Sequence, residues 1–372
     1  MLDRTIPFDY DWPILTTDLS EDNDVIISRR RALTLPLLAS AWSAASAVAR
    51  ELGKGSRLQY TGNPLRLPMG VCDPQIRIFD DVAWLYATHD ASPTSRTFTM
   101  KDWQIWRSDN LVHWSHEGTL LPEQTYFGKP SSRCWATDAI RRNGKYYLYF
   151  SMGPEDIGVV VSDAPAGPWR DPLGKALIAK GQVTTETRDP GIFQEADGTS
   201  YIVFGTFDYY IARLSDDMIS LAETPRKITI ADPEGPYGPG KTDDKPFLHR
   251  RGKYYYLSWG TYYGIGTSPY GPFQCKGPLL LPENVEPSFL NDSSMRGRYA
   301  PPPGFKPKNW LNFDRHGSFF KWRGRWFFAC NDQSQEGTTP LFRQSVIFDV
   351  HYLRDGRIAP LKLTAKGVIS PR

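Results

Sequence analysis

One pattern recurs five times along the chain and constrains its fold more than any other feature. The segments IRIFDDVAWLYAT (76–88), IRRNGKYYLYFS (140–151), FQEADGTSYIVFG (193–205), FLHRRGKYYYLSWG (247–260) and FFKWRGRWFFACN (319–331) each join a polar turn on Gly or Asp to an aromatic, alternating strand. Gly144, Gly198 and Gly252 are spaced 54 residues apart, and Gly324 follows after 72, the excess falling in the Pro-rich insertion 282–310. Further hairpin-like segments, WQIWRSDNLVHW (103–114), GVVVSDAPAGPW (158–169), YYIARLSDDMISL (209–221) and YGIGTSPYGPF (263–273), follow the first four of those five. The period suits one four-stranded antiparallel blade, and scarcely any stretch beyond residue 50 keeps a helical apolar period. The expected fold is therefore all-β, a five-bladed β-propeller spanning 51–372 as a single domain with a central pocket.

The first 50 residues read differently. Ser28-Arg29-Arg30-Arg31 precedes the apolar stretch Leu33 to Ala49, which ends in Ala45-Ser46-Ala47 and Ala47-Val48-Ala49, cleavage sites of the A-x-A type. This predicts a twin-arginine export signal, a periplasmic or secreted mature protein, and no membrane attachment after cleavage. The apolar run is short for a membrane span. A net charge of +3, with no Lys/Arg run beyond residue 31, carries no nucleic-acid footprint. Four cysteines (72, 134, 275, 330) include no C-x-x-C pair and so no zinc or thioredoxin-type motif, while a disulfide stays compatible with export.

Acidic residues recur at the repeat interval. Cys72-Asp73-Pro74, Arg188-Asp189-Pro190-Gly191-Ile192-Phe193 and Asp243-Asp244-Lys245-Pro246-Phe247-Leu248 each stand before a hairpin, with 116 residues from Asp73 to Asp189 and 55 from Asp189 to Asp244. An Asp-Pro pair alone is a common turn start; their spacing by whole blades is what suggests one shared site.

These motifs resemble glycoside hydrolase family 43, whose five-bladed propellers place one carboxylate from each of three blades in a central pocket, and the likeness spans most of 61–360. It implies Asp73 as general base, Asp189 as the residue that tunes the acid's pKa and orients substrate, and Asp244 as general acid, where the family normally carries Glu. Asp243, Glu186 and Glu234 are the fallback acids. Arg133-Cys134-Trp135-Ala136-Thr137-Asp138 resembles the family's Trp-Ala-Pro-Asp element, and Arg315-His316-Gly317-Ser318 its fifth-blade His-x-Ser. With the closing Arg343, the resemblance implies substrate contacts at Trp135, Asp138, His316 and Arg343. It also implies no catalytic cofactor, and His316 as the metal ligand facing a structural calcium ion on the propeller axis.

The implied activity is hydrolysis of O-glycosidic bonds in plant-type oligo- or polysaccharides. Two carboxyls on opposite sides of a sugar ring would do this by inversion, exo-acting as an α-L-arabinofuranosidase or β-xylosidase. Two other readings stay open on the residues alone: a family 117-like anhydro-galactosidase with histidine as acid, and a propeller that binds carbohydrate without cleaving it.

Overall fold

A computed structural model describes residues 58–371 except 66, 96, 291–305, 336–337 and 340. The export segment, Arg296, Arg298 and Pro301–Pro303 lie outside the described residues. Among the described residues no helix is long and apolar enough to cross a membrane.

Five sheets form the blades. Blade I comprises Gly70–Phe79, Val82–Asp90, Met100–Ser108 and Ser115–Leu120; blade II Cys134–Arg142, Lys145–Met152 and Asp156–Ser162; blade III Gly191–Gln194, Ser200–Phe204, Tyr210–Arg213 and Arg226–Lys227. Blade IV holds Pro246–Arg251, Tyr254–Trp259, Tyr262–Gly266 and Phe273–Pro278, and blade V Gly317–Trp322, Arg325–Asp332 and Gln344–Val350. Four strands per blade, as the repeat predicts, holds for blades I and III. Blade IV gains a fifth, because Ile230–Ala231 pairs in parallel with Phe273–Pro278. Blade II has three, its outer edge held only by isolated bridges from Ile157 to Ile178 and from Val161 to Arg170.

Local chemistry sets the hairpins. The turns Asp80-Asp81, Asn143-Gly144 and Arg323-Gly324 have positive φ at both residues, the backbone that matches the right-handed twist of the strands they join. The strands that follow are apolar on both faces because each blade is sandwiched between two others. In blade II, Leu148 and Phe150 pack with Trp103 and Ile105 of blade I, whereas Tyr147 and Tyr149 pack with Ile202 and Phe204 of blade III. In blade V, Phe328 and Cys330 join Phe247 and Tyr256 of blade IV, while Phe327 and Ala329 join Val71, Ile76 and Leu85 of blade I. A fifth core unites Val203 and Ile211 of blade III with Leu248 and Leu257 of blade IV. Five cores between five blades close a ring, with the first strand of each blade innermost.

Closure also uses backbone. Thr61 N–H donates to Val368 O (2.9 Å), Asn63 N–H to Ala365 O (3.0 Å) and Leu65 N–H to Ser345 O (2.7 Å). The side chain of Asn63 both donates to Ile347 O and accepts from Ile347 N–H. The segment that enters blade I thus supplies the outer edge of blade V, which has three strands of its own.

Candidate active site

A residue in left-handed backbone stands within or shortly before the inner strand of blades I, III, IV and V: Asp73 (φ 50°), Asp189 (φ 61°), Lys245 (φ 54°) and Asp314 (φ 52°). Aspartate tolerates this conformation better than most side chains. The first three each precede a proline, Pro74, Pro190 and Pro246, so the position equivalent to Asp73 and Asp189 in blade IV is Lys245 rather than Asp244. In blade I the turn is a bulge, where pairing slips between Cys72 and Gln75.

Two of the three candidate acids, Asp73 and Asp244, meet at His316, and Asp189 joins them through Arg188. The His316 Nδ1 lies 3.1 Å from Asp73 Oδ1 and 3.4 Å from Asp314 Oδ1, and its Nε2 is in direct contact with Asp244 Oδ1. Asp73 also accepts from Asn331 Nδ2 (2.8 Å) and Arg343 Nη1 (3.2 Å), and its N–H donates to Asn331 Oδ1 (2.6 Å). Asp244 pairs with Arg188 at 3.0 Å, and the same guanidinium stands 3.7 Å from Asp189. Asp189 accepts from Lys245 N–H (3.1 Å), while its own N–H donates to Ser151 Oγ (2.7 Å).

Charge is divided unevenly among these groups. Burial works to raise the Asp73 carboxyl, yet Arg343, His316 and Asn331 together hold it well below the usual carboxylate range. Burial is likewise outweighed at Asp244, by His316 and Arg188, so that carboxyl is held low. At Asp189 burial, reinforced by the negative Asp244 and partly offset by Arg188, pushes the pKa up to about 6. Burial and the adjacent Asp244 push Asp243 well above its usual range, and its buried Oδ2 has no hydrogen-bond partner. The resemblance gives Asp189 the part of tuning the Asp244 acid, yet in the substrate-free protein the upward shifts fall on Asp189 and Asp243. These carboxyls titrate as a set.

Of the other predicted residues, Trp135 is partly exposed and its ring lies beneath the Arg188 guanidinium, 5.1 Å from it. Asp138 is fully buried and accepts from Arg77 Nε (2.9 Å), Ile192 N–H (2.6 Å) and Ala139 N–H (2.7 Å), so it clamps blades I, II and III. Arg343 stands behind Asp73, with its guanidinium on Asp73, Asp90 (2.9 Å) and Asp314 (3.3 Å). Glu186 pairs with Arg188 at 2.7 Å, and Glu234 lies in a short ribbon whose carbonyl accepts from Trp259. All four cysteines are free.

The residues present do not fit an axial calcium ion with His316 as its ligand. Calcium takes six to eight oxygen ligands. Two sets, Asp73–Asp314–His316 and Asp243–Asp244–His316, bring three donor atoms within 4.8 Å of one another, but both depend on His316. Burial favours the neutral imidazole; Asp244 and Asp314 nevertheless raise its pKa well above the ordinary value. Both of its nitrogens are already engaged, Nδ1 by Asp73 and Nε2 by Asp244, so neither faces an open position for a metal. The inner-strand carbonyls of Thr137 and Pro190 already accept from Lys245 Nζ.

Arg188, Asp314, Asn331 and Lys245 complete the site and had no place among the predicted residues. Arg188 and Lys245 adjoin predicted acids, and that adjacency was the available signal. Asn331 has none, since it follows the last aromatic run as an ordinary strand residue.

Buried carboxylates gathered at the inner strand ends of a five-bladed ring define a propeller of the carbohydrate-hydrolysing class. The chain matches the model of glycosyl hydrolases family 43 over residues 67–358 and belongs to that family; it is a glycosidase. It is 26% identical over 344 residues to a xylosidase/arabinosidase of Bacteroides ovatus, an alignment covering 78% of this chain and 95% of the relative. It is 32% identical to a β-D-galactofuranosidase of Aspergillus niger, over 60% of this chain and 68% of that one. Among solved structures, a family 43 enzyme from Xanthomonas citri complexed with xylotriose superposes with a TM-score of 0.62 at 25% identity, covering 84% of this chain and 95% of that one. The family 117-like and binding-only readings are not favoured by these matches.

Proposed function

We propose that the protein is an inverting exo-glycosidase that removes xylosyl or arabinofuranosyl units from plant-type oligo- or polysaccharides. The observation that carries this reading is the placing of Asp73 and Asp244 on opposite sides of the His316 imidazole, Asp73 buried and Asp244 partly buried. Asp73 accepts a proton from water as the water oxygen bonds to the anomeric carbon. The bond from that carbon to the leaving oxygen breaks, and the leaving oxygen takes a proton from Asp244. Asp244, ionised in the substrate-free protein, first takes that proton from Asp189 or Asp243, the two carboxyls whose pKa is pushed up. An inverting pair needs ~6.5–9.5 Å between carboxyls to seat the water. Trp135, partly exposed beside Arg188, offers an apolar face to a sugar ring.

The sugar class follows the names of the relatives, which include xylosidase/arabinosidase enzymes. The test is an aryl-glycoside panel of β-xyloside, α-arabinofuranoside and β-galactofuranoside, with proton NMR of the first product anomer. Inversion at a pentoside supports the reading, whereas a product of retained configuration or exclusive galactofuranoside turnover refutes it. We also propose periplasmic or secreted export through Arg29–Arg31. Replacing Arg29 and Arg30 with Lys should leave the full chain in the cytoplasm of a fractionated host, and unchanged export overturns this.

A further inference from the structure

Lys245 is fully buried, and the hydrolytic steps above do not employ it. Its ammonium donates to Pro190 O at 2.7 Å and Thr137 O at 3.2 Å, so a side chain from blade IV holds the inner-strand ends of blades II and III. Its backbone N–H holds Asp189 Oδ2. Burial pulls the ammonium's pKa down, while the charges of Asp138, Asp189 and Asp73 bear on it in the opposite sense. Four blades therefore converge on one cation.

Such a residue is costly to keep. Burying an ammonium costs several kcal/mol before its partners compensate. Left-handed backbone at φ 54° costs a lysine roughly 1 kcal/mol more, a cost that glycine would avoid. A purely structural position under both costs would be better served by another side chain.

We propose that Lys245 is a positioning residue whose ammonium serves as the resident cation inside the ring of inner strands. Its side chain holds Thr137 O and Pro190 O, the latter next in the chain to Asp189, while its backbone N–H holds the Asp189 carboxylate, and no divalent ion is needed there. The inference rests on the reading that Asp189 serves the acid, so its test carries one readout through activity and one without it.

Lys245→Gly suits the left-handed backbone and removes only the side chain. In the full chain it should lower kcat about 100-fold with KM changed less than about threefold. Methylammonium or calcium chloride should then restore kcat at least tenfold, while the unmodified protein responds to neither salt nor to EDTA. Lys245→Met, which fills the space without charge, should show the same loss and no recovery. Thermal unfolding is the second readout: either cation should raise the Tm of Lys245→Gly and leave that of the unmodified protein unchanged. Lys245→Gly retaining kcat within twofold, or losing it with no cation-dependent recovery, overturns the proposal. If the unmodified protein turns over no glycoside in the panel, the functional reading fails instead. The Tm response then decides for Lys245, and its absence overturns the assignment.

Discussion

Asp73 is held by three side chains, Arg343, His316 and Asn331, and its φ of 50° presents it at the bulge of the innermost strand. Those contacts hold its carboxyl well below the usual carboxylate range, as the proposed base role requires. Asp73→Asn keeps an acceptor oxygen for the same donors, so it should fold while kcat drops ~1,000-fold, measured on the aryl glycoside that the unmodified protein cleaves best. Asp189 behaves oppositely. Its carboxyl ionises near 3.9 in an unfolded chain and at about 6 in the fold. The folded state therefore keeps the proton longer, and this contribution to stability is full below about pH 4 and lost as pH rises through about 6. Asp189→Asn should flatten that dependence, by at most ~3 kcal/mol between urea melts at pH 4 and pH 7, and equal slopes for both proteins would contradict it. Asp73 and Asp189 were legible from sequence because Asp-Pro pairs recurred at whole-blade intervals. Arg188, Asn331 and Asp314 were not, because a polar side chain becomes a site residue only when ring closure brings distant strands beside it. Asp138 looked like a substrate contact for the converse reason: its motif identified the inner strand but not that Arg77, Ile192 and Ala139 occupy its oxygens.

Each blade is a hairpin repeat with apolar residues on both faces, and alternation assigns odd and even positions to different neighbours. That rule was readable in aromatic runs such as Tyr146 to Phe150, which look uniformly apolar yet feed two separate cores. The number of strands was less readable, since edge strands such as Ile230–Ala231 are two residues long and lack a pattern of their own. Close approach of the first two strands of blade V leaves little room at Gly317, where an added Cβ would lie 1.8 Å from Ala329 O. Both groups belong to the backbone of one hairpin and cannot turn aside. Gly317→Ala should cost at least ~2 kcal/mol in a urea melt and displace the adjoining His316, lowering kcat as well. A variant as stable and active as the unmodified protein would show that the hairpin can open without cost.

Across the whole molecule, the site draws Asp73 from blade I, Arg188 and Asp189 from the entry to blade III, Asp244 from the entry to blade IV, and His316, Asn331 and Arg343 from in or beside blade V. No blade holds a working subset. Removing residues 58–65 should unzip blade V from Ser345 and Val368, lowering Tm by several degrees and abolishing turnover together; loss of Tm with full activity would mean that the site does not depend on closure. The same seam has a topological consequence. Ser370 N–H donates to Gln59 O at 2.8 Å, so the two ends of the described chain meet in one hydrogen-bonded strip. A short peptide joining them would turn the molecule into an endless loop, and a cut at the Gly252 or Gly324 hairpin would give the same ring a new beginning. The order in which blades are synthesised is then a free variable, and the catalytic arrangement should be indifferent to it.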